Sequence, residues 1–142
     1  MDKVAIVFWS GTGNTEAMAN CIAEGIKEAG GEAVLLAPSE FAADRLDEFG
    51  AVAFGCPSMG VEQLEEAEFA PMFEAVKPSL SGKTIGLFGS YGWGDGEWMR
   101  TWAEDCAAAG CTLAADPVIC CGTPEDETAD ACRSLGAALS AV

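Results

Sequence analysis

Five short apolar runs, near residues 3–8, 32–37, 50–55, 83–89 and 117–121, alternate along this chain with stretches patterned for helices near 14–29, 65–76, 97–109 and 126–141. Several runs, Val4-Ala5-Ile6-Val7-Phe8 first among them, lack the in-and-out alternation of a half-solvated strand, so they read as strands buried on both faces. The first helical stretch carries Met18, Ile22 and Ile26 on one stripe and closes at Gly30-Gly31. Pro71 leaves the start of the second open, because a proline fits a helix only in its first turn. Strands alternating with helices pair in parallel through right-handed crossovers. The expected fold is α/β, an open doubly wound five-stranded parallel sheet with helices on both faces, and the 142 residues make one domain, 1–142.

Composition removes several classes of function. A formal charge of −16 at pH 7 disfavours nucleic acid and anionic membrane surfaces and favours a basic protein partner. The chain has no histidine, and its seven cysteines form no C-x-x-C spacing, so neither a metal site nor a disulfide framework is expected. No apolar run approaches the roughly 18 residues that cross a bilayer. With Met1-Asp2-Lys3 leading straight into a strand, a cytoplasmic location is expected.

Open parallel sheets bind ligands beyond the carboxyl ends of their strands, where the strand order reverses. Three loops at such ends are rich in Gly, Ser and aromatics: Ser10 to Thr15, Cys56 to Glu62, and Ser90 to Glu97. The first, Ser10-Gly11-Thr12-Gly13-Asn14-Thr15, joins a strand to a helix start and gathers backbone N–H groups around an anion. It contains no Lys or Arg, so a phosphate there would be held by N–H dipoles and hydroxyls alone. A P-loop is excluded because no lysine follows Gly13 before Lys27, and a dinucleotide fingerprint because Glu16 stands where its third glycine belongs. A low-molecular-weight phosphatase would need an arginine closing the Cys56 loop, and a receiver domain an aspartate where Gly55-Cys56 stands. In the third loop, glycines on both sides leave Trp93 free to stack on a planar ring.

Together the stretches Phe8 to Glu16, Gly55-Cys56 with Met59-Gly60 and Glu62, and Leu87 to Gly96 resemble the flavodoxins of the short-chain, clostridial type, over nearly the whole length. The strand order 2-1-3-4-5 follows from that resemblance and not from the periodicity. The resemblance implies non-covalently bound FMN and a low-potential one-electron carrier, not an enzyme, that shuttles between semiquinone and hydroquinone. The redox partners implied are reductases and oxidoreductases with basic docking surfaces, and the carrier itself would be a monomer. It further implies a phosphate site at Ser10, Gly11, Thr12, Gly13, Asn14 and Thr15, with Ser90 near the phosphate or ribityl end. Gly92, beside Tyr91, would meet the pyrimidine edge. Trp93 would stack on one ring face, Met59 would cover the other within Ser58 to Glu62, and Glu62 would accept the flavin N3–H. Gly60 would let its peptide turn toward flavin N5, with Val61 following where relatives often carry a polar residue. Glu62, Glu65, Glu66, Asp95 and Glu97 are the acids whose position in the loops would oppose a second electron. Alternatives are a flavin-dependent reductase on the same fold and a module that stores or senses FMN.

Overall fold

The computed structural model describes residues 3–10, 13–57, 65, 67–91, 96–122 and 124–141. The chain runs β1 (Lys3–Phe8), α1 (Asn14–Glu28), β2 (Glu32–Leu36), β3 (Ala51–Gly55), α2 (Phe69–Val76), β4 (Thr84–Tyr91), α3 (Glu97–Ala108), β5 (Thr112–Leu113), β6 (Val118–Cys121) and α4 (Asp126–Ser140). All strand pairs are parallel, in the order β2-β1-β3-β4-β5, with β6 also on β4.

The apolar runs divide their side chains between two layers, as a period of two requires. Ala5, Val7, Val52, Phe54, Ile85 and Leu87 face α2 and α3 and meet Phe69, Phe73 and Trp102. Val4, Ile6, Ala51, Ala53 and Phe88 face α1 and α4 and meet the Met18, Ile22, Ile26 stripe together with Leu135 and Leu139. Aromatic rings set edge to face fill the first layer, with Phe54 and Phe73 centroids 5.2 Å apart and Phe69 and Trp102 5.4 Å apart. In the second layer the two helices touch backbone to backbone. A Cβ on Gly25 would lie 2.0 Å from the Arg133 carbonyl oxygen, and one on Gly136 2.2 Å from that of Ile22.

Two elements depart from the sequence reading. The second helix starts at Phe69 and not near 65, which puts Pro71 in its first turn, where the missing N–H costs nothing. The fifth sheet position is filled by two short strands instead of one. Leu113 pairs with Ile85 but Val118 with Phe88, so the edge carries two more residues than its partner. Pro117, lacking an N–H, lies within that bulge.

Candidate functional site

After β1 the chain crosses to β2 on one side, then returns to β3 on the other, so the strand order reverses between the carboxyl ends of β1 and β3. The first loop opens there. Gly13 caps α1 with φ 96°, a left-handed geometry that glycine alone adopts without strain, and a Cβ on it would meet nothing within 4 Å. Since the cap residue brings no side chain, Ser10 takes over: its Oγ accepts the N–H of Gly13 at 3.1 Å and of Glu16 at 3.3 Å. The N–H groups of Gly13 and Glu16 thus converge on the Ser10 hydroxyl, at the positive end of the α1 dipole. Asn14 stands half-buried at the helix start, and Thr15, one residue on, is fully buried. The Thr15 Oγ1 lies 3.5 Å from the Oγ of Ser90, itself buried at the end of β4. This pair joins the first loop to the third across 75 residues of chain.

The second loop leaves β3 at Cys56, which is the node of the site. Its N–H donates to the Phe88 carbonyl at 3.1 Å, its carbonyl accepts Trp98 Nε1–H at 3.2 Å, and its Sγ accepts the N–H of Glu65 at 3.3 Å. Burial pushes this thiol up to about 12, so at neutral pH it stays protonated, donates to the Pro57 carbonyl at 3.5 Å and is not a nucleophile. Gly89 passes so close that a Cβ there would lie 2.2 Å from the Cys56 carbonyl oxygen. Glu65, 7 % exposed, turns back on the start of α2. Its Oε1 accepts the N–H groups of Glu68 at 2.7 Å and Phe69 at 2.8 Å, and its Oε2 that of Ala67 at 2.8 Å. Burial alone would raise this carboxyl, but the three N–H donors outweigh it and hold it below the usual carboxylate range. Glu68 in turn accepts Trp9 Nε1–H at 2.9 Å, which ties the end of β1 to the same turn. Trp9, Ser10, Glu16 and Glu68 share the lining of a cavity of about 450 Å³ beside the first loop.

On the third loop, Tyr91 is half-buried, its ring 5.4 Å from that of Trp98, and its carbonyl accepts the Gly122 N–H at 2.9 Å. Of the residues expected at the site, Ser10, Gly13, Asn14, Thr15, Ser90 and Tyr91 are described. Gly11, Thr12, Ser58, Met59, Gly60, Val61, Glu62, Gly92 and Trp93 lie outside the described residues, as do Glu66 and Asp95. Sequence reasoning placed Cys56 at the strand end where the second loop begins, and passed over Gly89, Trp98 and Glu68 as parts of this framework. Gly89 carried a signal, a glycine inside a strand immediately before a candidate loop. The tryptophan bonds carried none, because their partners lie 42 and 59 residues away.

The donor set fits the phosphate of FMN. Backbone N–H groups and hydroxyls converge at a helix start with no cationic side chain among the described residues of the loop, and the loop is closed against the end of β4. An open parallel α/β domain with an anion cradle at its strand-order reversal defines a mononucleotide-binding protein of the doubly wound class. Comparison with known proteins narrows this class. The flavodoxin family model matches residues 6–136. The flavodoxin of Clostridium beijerinckii is 44 % identical over 131 residues, 92 % of this chain and 94 % of the relative. That of Megasphaera elsdenii is 41 % identical over 137 residues, 96 % of this chain and 98 % of the relative. The solution structure of two-electron reduced M. elsdenii flavodoxin superposes with a TM-score of 0.90, covering 98 % of this chain and 99 % of that one. This chain belongs to the flavodoxin family. Flavodoxins bind FMN and carry electrons between redox proteins, and this chain is accordingly an FMN-binding electron carrier and not an enzyme. Among the described residues no helix is long and apolar enough to cross a membrane.

Proposed function

We propose that the chain is a single-domain, monomeric, cytoplasmic carrier working at low potential in one-electron steps, and that its partners dock through basic surfaces. Ser10, Gly11, Thr12, Gly13, Asn14 and Thr15 hold the phosphate, with Ser90 at the same end. Ser58, Met59, Gly60, Val61 and Glu62 border one side of the ring system, and Tyr91, Gly92 and Trp93 the other. The observation that carries this reading is the closure of the first loop on the third by the Thr15 and Ser90 hydroxyls, around a cradle with neutral donors.

FMN supplies two successive one-electron couples, and the residues of the chain tune them. Carboxylates near the ring oppose each added electron. One unit charge at about 10 Å and an effective dielectric near 20 contributes roughly 1.7 kcal/mol, on the order of 70 mV, before salt screening. With a net charge of −16, such contributions sum to opposition over the protein as a whole.

Two measurements test the reading. Titration of the FMN-free protein with FMN and with riboflavin, which lacks the phosphate, should favour FMN strongly, and Ser10→Ala should cost about 1–2 kcal/mol of FMN affinity while leaving riboflavin nearly unchanged. Equal affinity for both ligands would overturn the phosphate assignment. An anaerobic potentiometric titration should resolve two separate one-electron waves, and a single two-electron wave would overturn the one-electron reading.

A further inference from the structure

Far from the site, α3 ends in a tight left-handed cap. Gly110, with φ 89°, donates its N–H to the Ala107 carbonyl at 3.1 Å, and Cys111 reaches back five residues to donate to the Cys106 carbonyl at 3.1 Å. In this motif the third-last helical residue and the residue after the glycine are brought side by side, and an apolar contact normally fills the place. Here both positions are cysteine, both are free thiols, and Cys111 packs against the core layer that holds Cys106. Cys106 is fully buried in the same core layer as Trp102, whereas Cys111 is half-exposed. Other thiols near the core face different partners: Cys120 Sγ lies 3.8 Å from Met18 Sδ, and Cys56 accepts the Glu65 N–H.

We propose that Cys106 and Cys111 are a reversible dithiol that closes to a disulfide across the α3 cap when oxidised by a low-molecular-weight disulfide. The Cys111 thiol, which solvent reaches, loses its proton and attacks one sulfur of the reagent R–S–S–R, forming a mixed disulfide and releasing one R–SH. Cys106 then loses its proton and attacks the Cys111 sulfur, which expels the second R–SH. Two protein thiols are oxidised by two electrons, and one reagent disulfide is reduced to two thiols. The existing cap already brings the two residues together, so ring closure requires little further ordering of the chain.

The environment also sets the rate. Burial pushes Cys106 up to about 12 and raises Cys111, so little thiolate exists at neutral pH, and exchange is slow there and faster as pH rises. The cap sits at the opposite end of the sheet from the loops of the site. Its carbonyl at Gly110 accepts the N–H of Gly82, and Thr112 donates to the Lys83 carbonyl just before β4 begins. The disulfide is therefore a clip on the fold and leaves the flavin environment alone.

The test is to treat the FMN-loaded protein with oxidised glutathione at about pH 7 and about pH 9, then map its peptides by mass. The expected result, after cleavage before aspartate, is loss of two hydrogen masses within the single peptide from Asp105 to Ala115, which contains Cys106 and Cys111 and no other cysteine. The linked form should appear faster at the higher pH, melt a few degrees higher and keep its visible spectrum. Cys111→Ser, altered at the half-exposed position so that the core stays intact, should not form the link. Unlinked Cys106 and Cys111 after full oxidation would overturn the proposal. So would a glutathione adduct persisting on Cys111 beside a free Cys106 thiol.

Discussion

Replacing Glu65 by glutamine leaves the shape of the side chain almost unchanged and removes its charge, so it isolates what the buried carboxylate does. Oε1 serves Glu68 and Phe69 and Oε2 serves Ala67. The amide of Glu65→Gln keeps one oxygen for the first two donors but presents an NH2 to the third, leaving donor against donor in a nearly water-free place. One unsatisfied N–H and the loss of charge assistance on the other two bonds add to about 2–4 kcal/mol at neutral pH. For a domain of this size that is roughly 6–12 °C in melting temperature. Because the carboxyl is held below its usual range in the folded state, its contribution is fully present above the unfolded value of about 4.3 and fades as pH falls through the lower folded value. The assay is urea unfolding of the FMN-free protein and of Glu65→Gln, at steps from about pH 7 to about pH 3, with the difference between the two read at each pH. That difference should be largest near neutrality and shrink in acid. A constant difference across the range, or one under about 0.5 kcal/mol at pH 7, would refute the account of Glu65 as a charged cap.

Two further outcomes follow from the geometry. Gly89→Ala places a methyl group 2.2 Å from the Cys56 carbonyl oxygen, so β3 and β4 must part just where the second and third loops begin, and stability should fall by about 1–3 kcal/mol or more in denaturant unfolding. The FMN affinity of that variant should fall with it. Asp95→Asn combined with Glu97→Gln, the latter the first residue of α3, should raise the more negative of the two potentials by tens of millivolts at low salt, and an unchanged potential would count against a role for these acids.

The fold was legible where side-chain pattern alone decides structure. The Met18, Ile22, Ile26 stripe gave α1, and the unbroken apolar runs gave the buried strands. The start of the second helix, which Pro71 left open, is set at Phe69 because the Glu65 carboxylate bonds the N–H groups of Ala67, Glu68 and Phe69 and so sits outside the helix. The two-residue strand β5 was invisible, since Thr112 and Leu113 form no run and owe their place to pairing with Thr84 and Ile85. At the site, loop composition showed which residue types gather at the strand ends. It did not show that Thr15 and Ser90 touch, or that Cys56 ties three segments together, because such bonds depend on register between strands and not on any local pattern. Glu65 illustrates the same limit, as its position among the rim acids said nothing of its burial.

A cradle built from neutral donors in a chain of charge −16 has a consequence for how binding responds to salt. A phosphate site lined by Lys or Arg attracts its ligand over long distances and weakens as salt rises. In the proposed site Ser10, Gly13 and Thr15 would act only at hydrogen-bond range, while the net charge of the surrounding protein repels a phosphate dianion at longer range. Salt screens the repulsion and leaves the short-range bonds intact, since the Debye length falls from about 30 Å at 0.01 M to about 8 Å at 0.15 M. FMN should therefore associate faster and bind more tightly as salt increases over that range. Riboflavin, which carries no charge, should respond little. Docking of a basic redox partner should show the opposite sign, slowing as the attraction is screened. Stopped-flow quenching of flavin fluorescence against ionic strength reads the first pair of outcomes directly. A fall in the FMN association rate with added salt would mean that a cation guards the site after all.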